Sequence, residues 1–166
     1  MTLDEIKAAE SKLLLGTYDR NPLLFTSGSG VYLRTDDGTQ YLDLLSGIGV
    51  NALGYAHPAI EHAIAEQSRK LIHISNLYYH EGQAALALRL VEATALDRVF
   101  FANSGAEVNE AALKLARAYA GLRRSEGAPL GTTILALENS FHGRTMGAVA
   151  ATWKDKYREP FAPVMP

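Results

Sequence analysis

The chain has no cysteine. Disulfides, zinc-thiolate sites, iron–sulfur clusters and thiol nucleophiles are therefore excluded. It also lacks any apolar run near the roughly 18 residues that a membrane-spanning helix needs. An excess of basic charge is missing too. Sixteen Lys and Arg stand against eighteen Asp and Glu, a formal charge of −2. Nucleic-acid and anionic-membrane partners call for a basic surplus, so neither is expected. The five histidines show no metal-ligand spacing, and no metal site is expected. Met1–Lys12 alternates charged with apolar residues and has no hydrophobic signal core, so a reducing cytoplasm is the expected compartment. What is present is globular in character. Of 166 residues, 48% are hydrophobic and 20% charged, enough for a packed core and too apolar for disorder.

Patterning along the chain predicts its organisation. Thr2 and Glu5 form a capping-box pair ahead of Ile6, Ala9 and Leu13, which share one helical face that ends by Gly16. Residues 23–26, 31–34 and 40–43 read as three short strands separated by Gly28–Gly30 and by Asp36-Asp37-Gly38, a small antiparallel meander. From Leu44 to His57 the chain is a glycine-rich loop, of the kind that carries either function or tight packing. Pro58 opens a helix. A further helix spans about 81–93, after the aromatic connector Ser75–Tyr79.

The most regular stretch follows. Arg98–Ala102 is a continuous apolar run suited to a strand buried on both faces. Val108, Ala111, Ala112, Leu115, Ala116 and Tyr119 recur at helical spacing and predict a core-facing helix over about 106–120, stopped by Gly121, Arg123 and Arg124. Glu110 and Lys114 form an i,i+4 pair on its other side. Thr132–Leu137 is a second buried strand. Strand, helix and strand together predict a βαβ unit with parallel strands.

Two turns lie where such a sheet would place a ligand, at the carboxyl ends of its strands. In Asn103-Ser104-Gly105-Ala106 the helix start offers free N–H groups and partial positive charge, which suit a phosphate, while Gly105 permits close approach. The same residues could merely cap the helix, with Ser104 accepting from the first turn. In Asn139–Thr145 the Phe141 ring could stack on a planar group and Arg144 could grip a carboxylate with two prongs. The alternative there is a surface loop, with Phe141 tucked into the core and Arg144 solvated.

The ordered set Tyr41-Leu42-Asp43, Ser46–Asn51, His57-Pro58, His73–Tyr79, Arg98–Phe101, Asn103–Glu107 and Ser140–Thr145 resembles the class III (subgroup II) pyridoxal-phosphate aminotransferases. It is nearest to their acetylornithine branch, with succinylornithine, ornithine and 4-aminobutyrate enzymes as relatives. The similarity runs from about Thr17 to Pro163. It implies a fold-type I transferase of α/β class. Residues 1–57 would form part of a small domain, and 58–166 the start of a large cofactor-binding domain. It implies pyridoxal 5'-phosphate as cofactor, bound by Ser104, Gly105 and Ala106 at the phosphate, by Phe141 on the ring and by His142 at the border. Arg144 would hold a substrate carboxylate. The implied reaction moves an amino group from N-acetylornithine or a related ω-amino donor to 2-oxoglutarate, in a cytoplasmic homodimer serving arginine biosynthesis. Tyr55, where histidine is common, and Val108, where alanine is common, depart from the family's pattern.

The resemblance also implies a lysine that carries the cofactor and a carboxylate facing its ring nitrogen, both in later parts of the family's chain. None of Lys7, Lys12, Lys70, Lys114, Lys154 and Lys156 lies in that context, so no catalytic residue is assigned here. The chain is expected to be an N-terminal portion of such an enzyme, inactive by itself. Two other readings stay open: a non-catalytic cofactor-binding or assembly module, and an unrelated nucleotide-binding α/β domain. Against the latter, neither a P-loop lysine nor a dinucleotide glycine fingerprint occurs.

Overall fold

The computed structural model describes residues 1–163, which divide into two compact units, Met1–Tyr79 and the part from His80 onward. In the first unit, α1 (Leu3–Leu13) begins with the expected capping box. Thr2 Oγ1 accepts from Glu5 N, and the Glu5 carboxylate accepts from Thr2 N. The meander follows as β1 (Phe25–Ser29), β2 (Tyr32–Thr35) and β3 (Gln40–Leu42), antiparallel in the order β1-β2-β3. Asp37 and Gly38 make the β2–β3 turn. The Asp37 carboxylate accepts from Thr35 Oγ1 at 2.7 Å and Thr39 N at 2.9 Å. Gly28 lies within β1 rather than in the turn, because the Tyr55 side chain packs flat on it: a Cβ at Gly28 would come within 2.5 Å of Tyr55 Cγ.

That contact ties the glycine-rich loop to the sheet. Tyr55 also exchanges backbone hydrogen bonds with Gly30, and its hydroxyl donates to Asp43 at 2.6 Å. The other Asp43 oxygen accepts from Leu45 N and Ser46 N, both at 2.9 Å. These donors, Tyr55 first, hold the Asp43 carboxyl below its ordinary range. Just beyond, Ser46, Gly47, Ile48 and Gly49 all have positive φ, a left-handed turn that is costly for branched Ile48. The helix α2 (Pro58–Lys70) starts with Pro58 behind the N-cap His57, as the sequence predicts.

In the second unit, α3 (Glu81–Glu92) is capped by His80. The helix α4 (Gly105–Ser125) is five residues longer at its C-terminus than the apolar pattern predicts, so Gly121 does not stop it. Its end is made further on. Gly127, with φ +90°, donates to Arg124 O and Ala128 N donates to Arg123 O, a Schellman closure. Two short helices follow, α5 (Met146–Ala150) and α6 (Asp155–Arg158), and a 3-10 turn over Glu159–Phe161.

The parallel pairing expected of Arg98–Ala102 and Thr132–Leu137 is not formed. No ladder joins these segments among the described residues, and the sheet of the structure is the antiparallel one. An apolar run shows that a segment is fit for burial, but a strand exists only through a neighbour's N–H and C=O groups. The two runs form no such ladder with each other among the described residues. Much apolar surface around α4 is correspondingly uncovered: Leu115, Leu135 and Leu137 are exposed, as are Tyr78 and Tyr79 in the first unit. The tightest packing of the second unit lies at α5, where Ala148, Val149 and Thr152 are buried.

Candidate functional site

The N-terminus of α4 is built by Ser104. Its Oγ accepts from Glu107 N at 3.2 Å, so the capping role foreseen for it is real. The Glu107 carboxylate in turn accepts from Asn103 N at 2.7 Å. Gly105 and Ala106 are the first two helical residues, and their N–H groups have no acceptor one turn back. The space beside Gly105 is open, since a Cβ there would meet no atom within 4 Å.

The second predicted turn is held against this helix end. Gly143 (φ +129°) lies flat on Ala106: a Cβ on Gly143 would fall 2.9 Å from Ala106 Cβ, 3.2 Å from Ala106 Cα and 3.1 Å from Ala148 Cβ. Only glycine fits there. Asn109 Nδ2 donates to His142 O at 2.6 Å, binding the loop one turn further along α4. Glu110 completes the fastening. One carboxylate oxygen accepts from Thr145 Oγ1 at 2.6 Å, Gly147 N at 2.8 Å and Ala148 N at 3.1 Å. It thereby supplies the N-terminus of α5 with the negative charge that a helix start favours. The sequence pairs Glu110 with Lys114. The structure turns the carboxylate to α5 instead, and Lys114 adds only a longer-range attraction. The carboxyl is held below its ordinary range, chiefly by the Thr145 hydroxyl and then by Ala148 N. Behind the loop, buried Thr152 receives His142 N at 3.0 Å, with its hydroxyl 3.2 Å from Gly143 O.

Thus the loop that carries Phe141, His142 and Arg144 is held to the helix that starts at Gly105, although 33 to 38 residues separate the segments joined by these bonds. Phe141 is not tucked into a core: the residue is 60% exposed. Tyr157 meets it edge-on, with centroids 6.1 Å apart and planes at 76°. The Arg144 guanidinium carbon lies 5.8 Å from the Phe141 ring centroid and 5.6 Å from that of Tyr157. His142 is half-buried, and its Nδ1 is buried without a hydrogen-bond partner among the described residues. Asn109, Glu110, Thr152 and Tyr157 were not foreseen as parts of the site. Glu110 shows only a helical spacing in the sequence, and Tyr157 sits in a charged stretch with Lys154 and Lys156 that carries no motif.

An open helix N-terminus, and a loop with an exposed aromatic residue and a guanidinium, have the chemistry that suits an anionic planar ligand. The family model for class-III aminotransferases matches residues 16–166, and the chain belongs to that family. It is 48% identical over 157 residues to the acetylornithine aminotransferase of Methanopyrus kandleri, covering 93% of this chain and 38% of that protein. It is 46% identical over 162 residues to the mitochondrial acetylornithine aminotransferase of Alnus glutinosa, covering 98% and 36%. The chain therefore spans well under half the length of these relatives. Among solved structures it is similar to an ornithine aminotransferase of Toxoplasma gondii, described as having partial occupancy of PLP at its active site. The TM-score is 0.89 at 25% identity, covering 99% of this chain and 38% of that one. The architecture is the N-terminal part of a fold-type I pyridoxal-phosphate-dependent transaminase.

Proposed function

We propose that the full-length protein is an aminotransferase moving an amino group from N-acetylornithine, or a related ω-amino donor, to 2-oxoglutarate. The observation that supports this reading is the seat of Gly143 on Ala106, which holds the loop carrying Phe141 and Arg144 against the start of α4. Pyridoxal phosphate, when bound, supplies the electron sink that lets a proton leave the substrate carbon. The chain's own residues bind and orient. The N–H groups of Gly105 and Ala106, with the Ser104 cap beside them, receive the phosphate. Phe141 presents its face to the pyridine ring. His142 borders the ring, its Nδ1 buried without a hydrogen-bond partner among the described residues. Arg144 takes the substrate carboxylate through a charge-assisted pair. The open space at Gly105 and the exposed Phe141 ring fit this cofactor.

Homology in name supports the donor, since the relatives are acetylornithine aminotransferases. The same reading makes the protein a cytoplasmic homodimer of arginine biosynthesis, with the cofactor-binding domain beginning near residue 58. It also leaves residues 1–166 inactive by themselves, because none of their lysines has the context of a cofactor-bearing one. The test is amino transfer by the full-length protein with pyridoxal phosphate and 2-oxoglutarate, comparing acetylornithine, succinylornithine, ornithine and 4-aminobutyrate by kcat/KM. Glutamate formation fastest with acetylornithine is expected. No transfer from any of the four would overturn the proposal.

A further inference from the structure

Arg144 is a long, flexible side chain, and a carboxylate fork works only if its plane is held. Two rings stand about the guanidinium, Phe141 at 5.8 Å and Tyr157 at 5.6 Å. Phe141 is engaged on the cofactor side in the reading above, so the ring that depends on no ligand is Tyr157. Its placement is secured by the backbone. Trp153 N donates to Ser140 O at 3.0 Å, joining the segment before α6 to the loop that carries Phe141. Thr152 binds the same loop at His142 N and lies beside Gly143 O. Tyr157 N then closes the first turn on Lys154 O at 3.0 Å. The ring also carries Lys156, whose Nζ is 5.1 Å from its centroid. An electron-rich ring within reach of two cations is a requirement an aliphatic residue cannot meet.

We propose that Tyr157 is a positioning residue for substrate recognition: its ring aims the Arg144 guanidinium at the substrate carboxylate and braces Phe141 edge-on. The proposal rests on the assignment of Arg144 to that carboxylate. It is the ring that acts, not the hydroxyl, so phenylalanine should serve in its place. Because Tyr157 acts through Arg144, its removal should matter only while Arg144 is present.

The test uses the full-length holoprotein and glutarate, a dicarboxylate that can neither give nor accept an amino group. Dissociation constants are measured calorimetrically for the wild type, Arg144→Ala, Tyr157→Leu, Tyr157→Phe and the Arg144→Ala/Tyr157→Leu double variant. Tyr157→Leu should weaken glutarate binding about fivefold, the scale of one partly exposed cation–π contact. Tyr157→Phe should stay within about twofold of the wild type, and in the Arg144→Ala background the Leu change should add less than about twofold. A merely structural role for Tyr157 would weaken both backgrounds alike, and that result overturns the inference. So does unchanged glutarate affinity in Tyr157→Leu while Arg144→Ala binds weakly, an outcome that leaves the Arg144 assignment intact. Unchanged affinity in Arg144→Ala would overturn that assignment and the inference with it. Should Tyr157→Leu fail to fold, Tyr157→Met, similar in volume but without a π face, takes its place under the same expectations.

Discussion

Replacing Gly143 by Ala tests the junction on which the site depends. The added methyl would meet Ala106 Cβ at 2.9 Å, Ala148 Cβ at 3.1 Å and Ala106 Cα at 3.2 Å. None of these atoms is the movable end of a long side chain: one belongs to the α4 backbone and two are fixed by it and by α5. The residue also has φ +129°, a conformation that side-chain-bearing residues rarely adopt. Overpacking costs about 1–3 kcal/mol and a strained backbone about as much again, so the native junction is destabilised by roughly 2–6 kcal/mol. The chain can escape by lifting the 141–145 loop off α4. The cofactor would then have to restore the junction in order to bind. If binding must supply even 1.4 kcal/mol of this, affinity falls about tenfold. The assay is the dissociation constant of pyridoxal phosphate for the full-length protein, followed by its absorbance. Wild-type affinity in Gly143→Ala would refute the reasoning, because the loop and the helix end would then not form one site.

Two other variants separate further parts of the argument. Gly105→Ala adds its methyl to open space, so thermal stability should hold or rise, since alanine favours a helix over glycine by about 1 kcal/mol. Pyridoxal-phosphate affinity should nevertheless drop, and unchanged affinity would remove the phosphate from this turn. Glu110→Gln tests the fastening of α5 through its pH dependence. The carboxyl is depressed below its ordinary value of 4.5, so its contribution is present at neutral pH and lost as pH falls through the depressed value. The gap in melting temperature between wild type and variant should therefore be largest near neutrality and close in acid. A gap independent of pH would show that the charge does not matter.

Local signals were enough for several elements. The Thr2–Glu5 capping box, the Asp37-Gly38 turn and Pro58 behind His57 each act within a few residues, and each appears where the sequence places it. The helix carrying Val108, Leu115 and Tyr119 was legible for the same reason, except at its end. There Gly127 rather than Gly121 makes the closure, because a glycine ends a helix only where the chain turns left-handed. Both candidate turns stood out as glycine beside hydroxyl, ring or guanidinium groups, but by local pattern the same residues also read as a helix cap and a surface loop.

The three-dimensional structure decided what no local pattern contains. Whether residues 98–102 and 132–137 pair depends on which backbone lies next to each, and that is not written in their hydrophobicity. The partner of Glu110 was equally hidden. Helical spacing offers Lys114 four residues away, but the N–H groups of α5, 37 and 38 residues on, donate to the carboxylate from fixed positions and draw it away. Tyr157 entered the site in the same way, through a backbone bond from Trp153 to Ser140 that brings α6 to the ring of Phe141. The sequence by itself determined the chemical groups available and the local turns that present them. Their convergence was decided by tertiary packing, above all by a glycine at position 143 small enough to let one loop rest on the end of one helix.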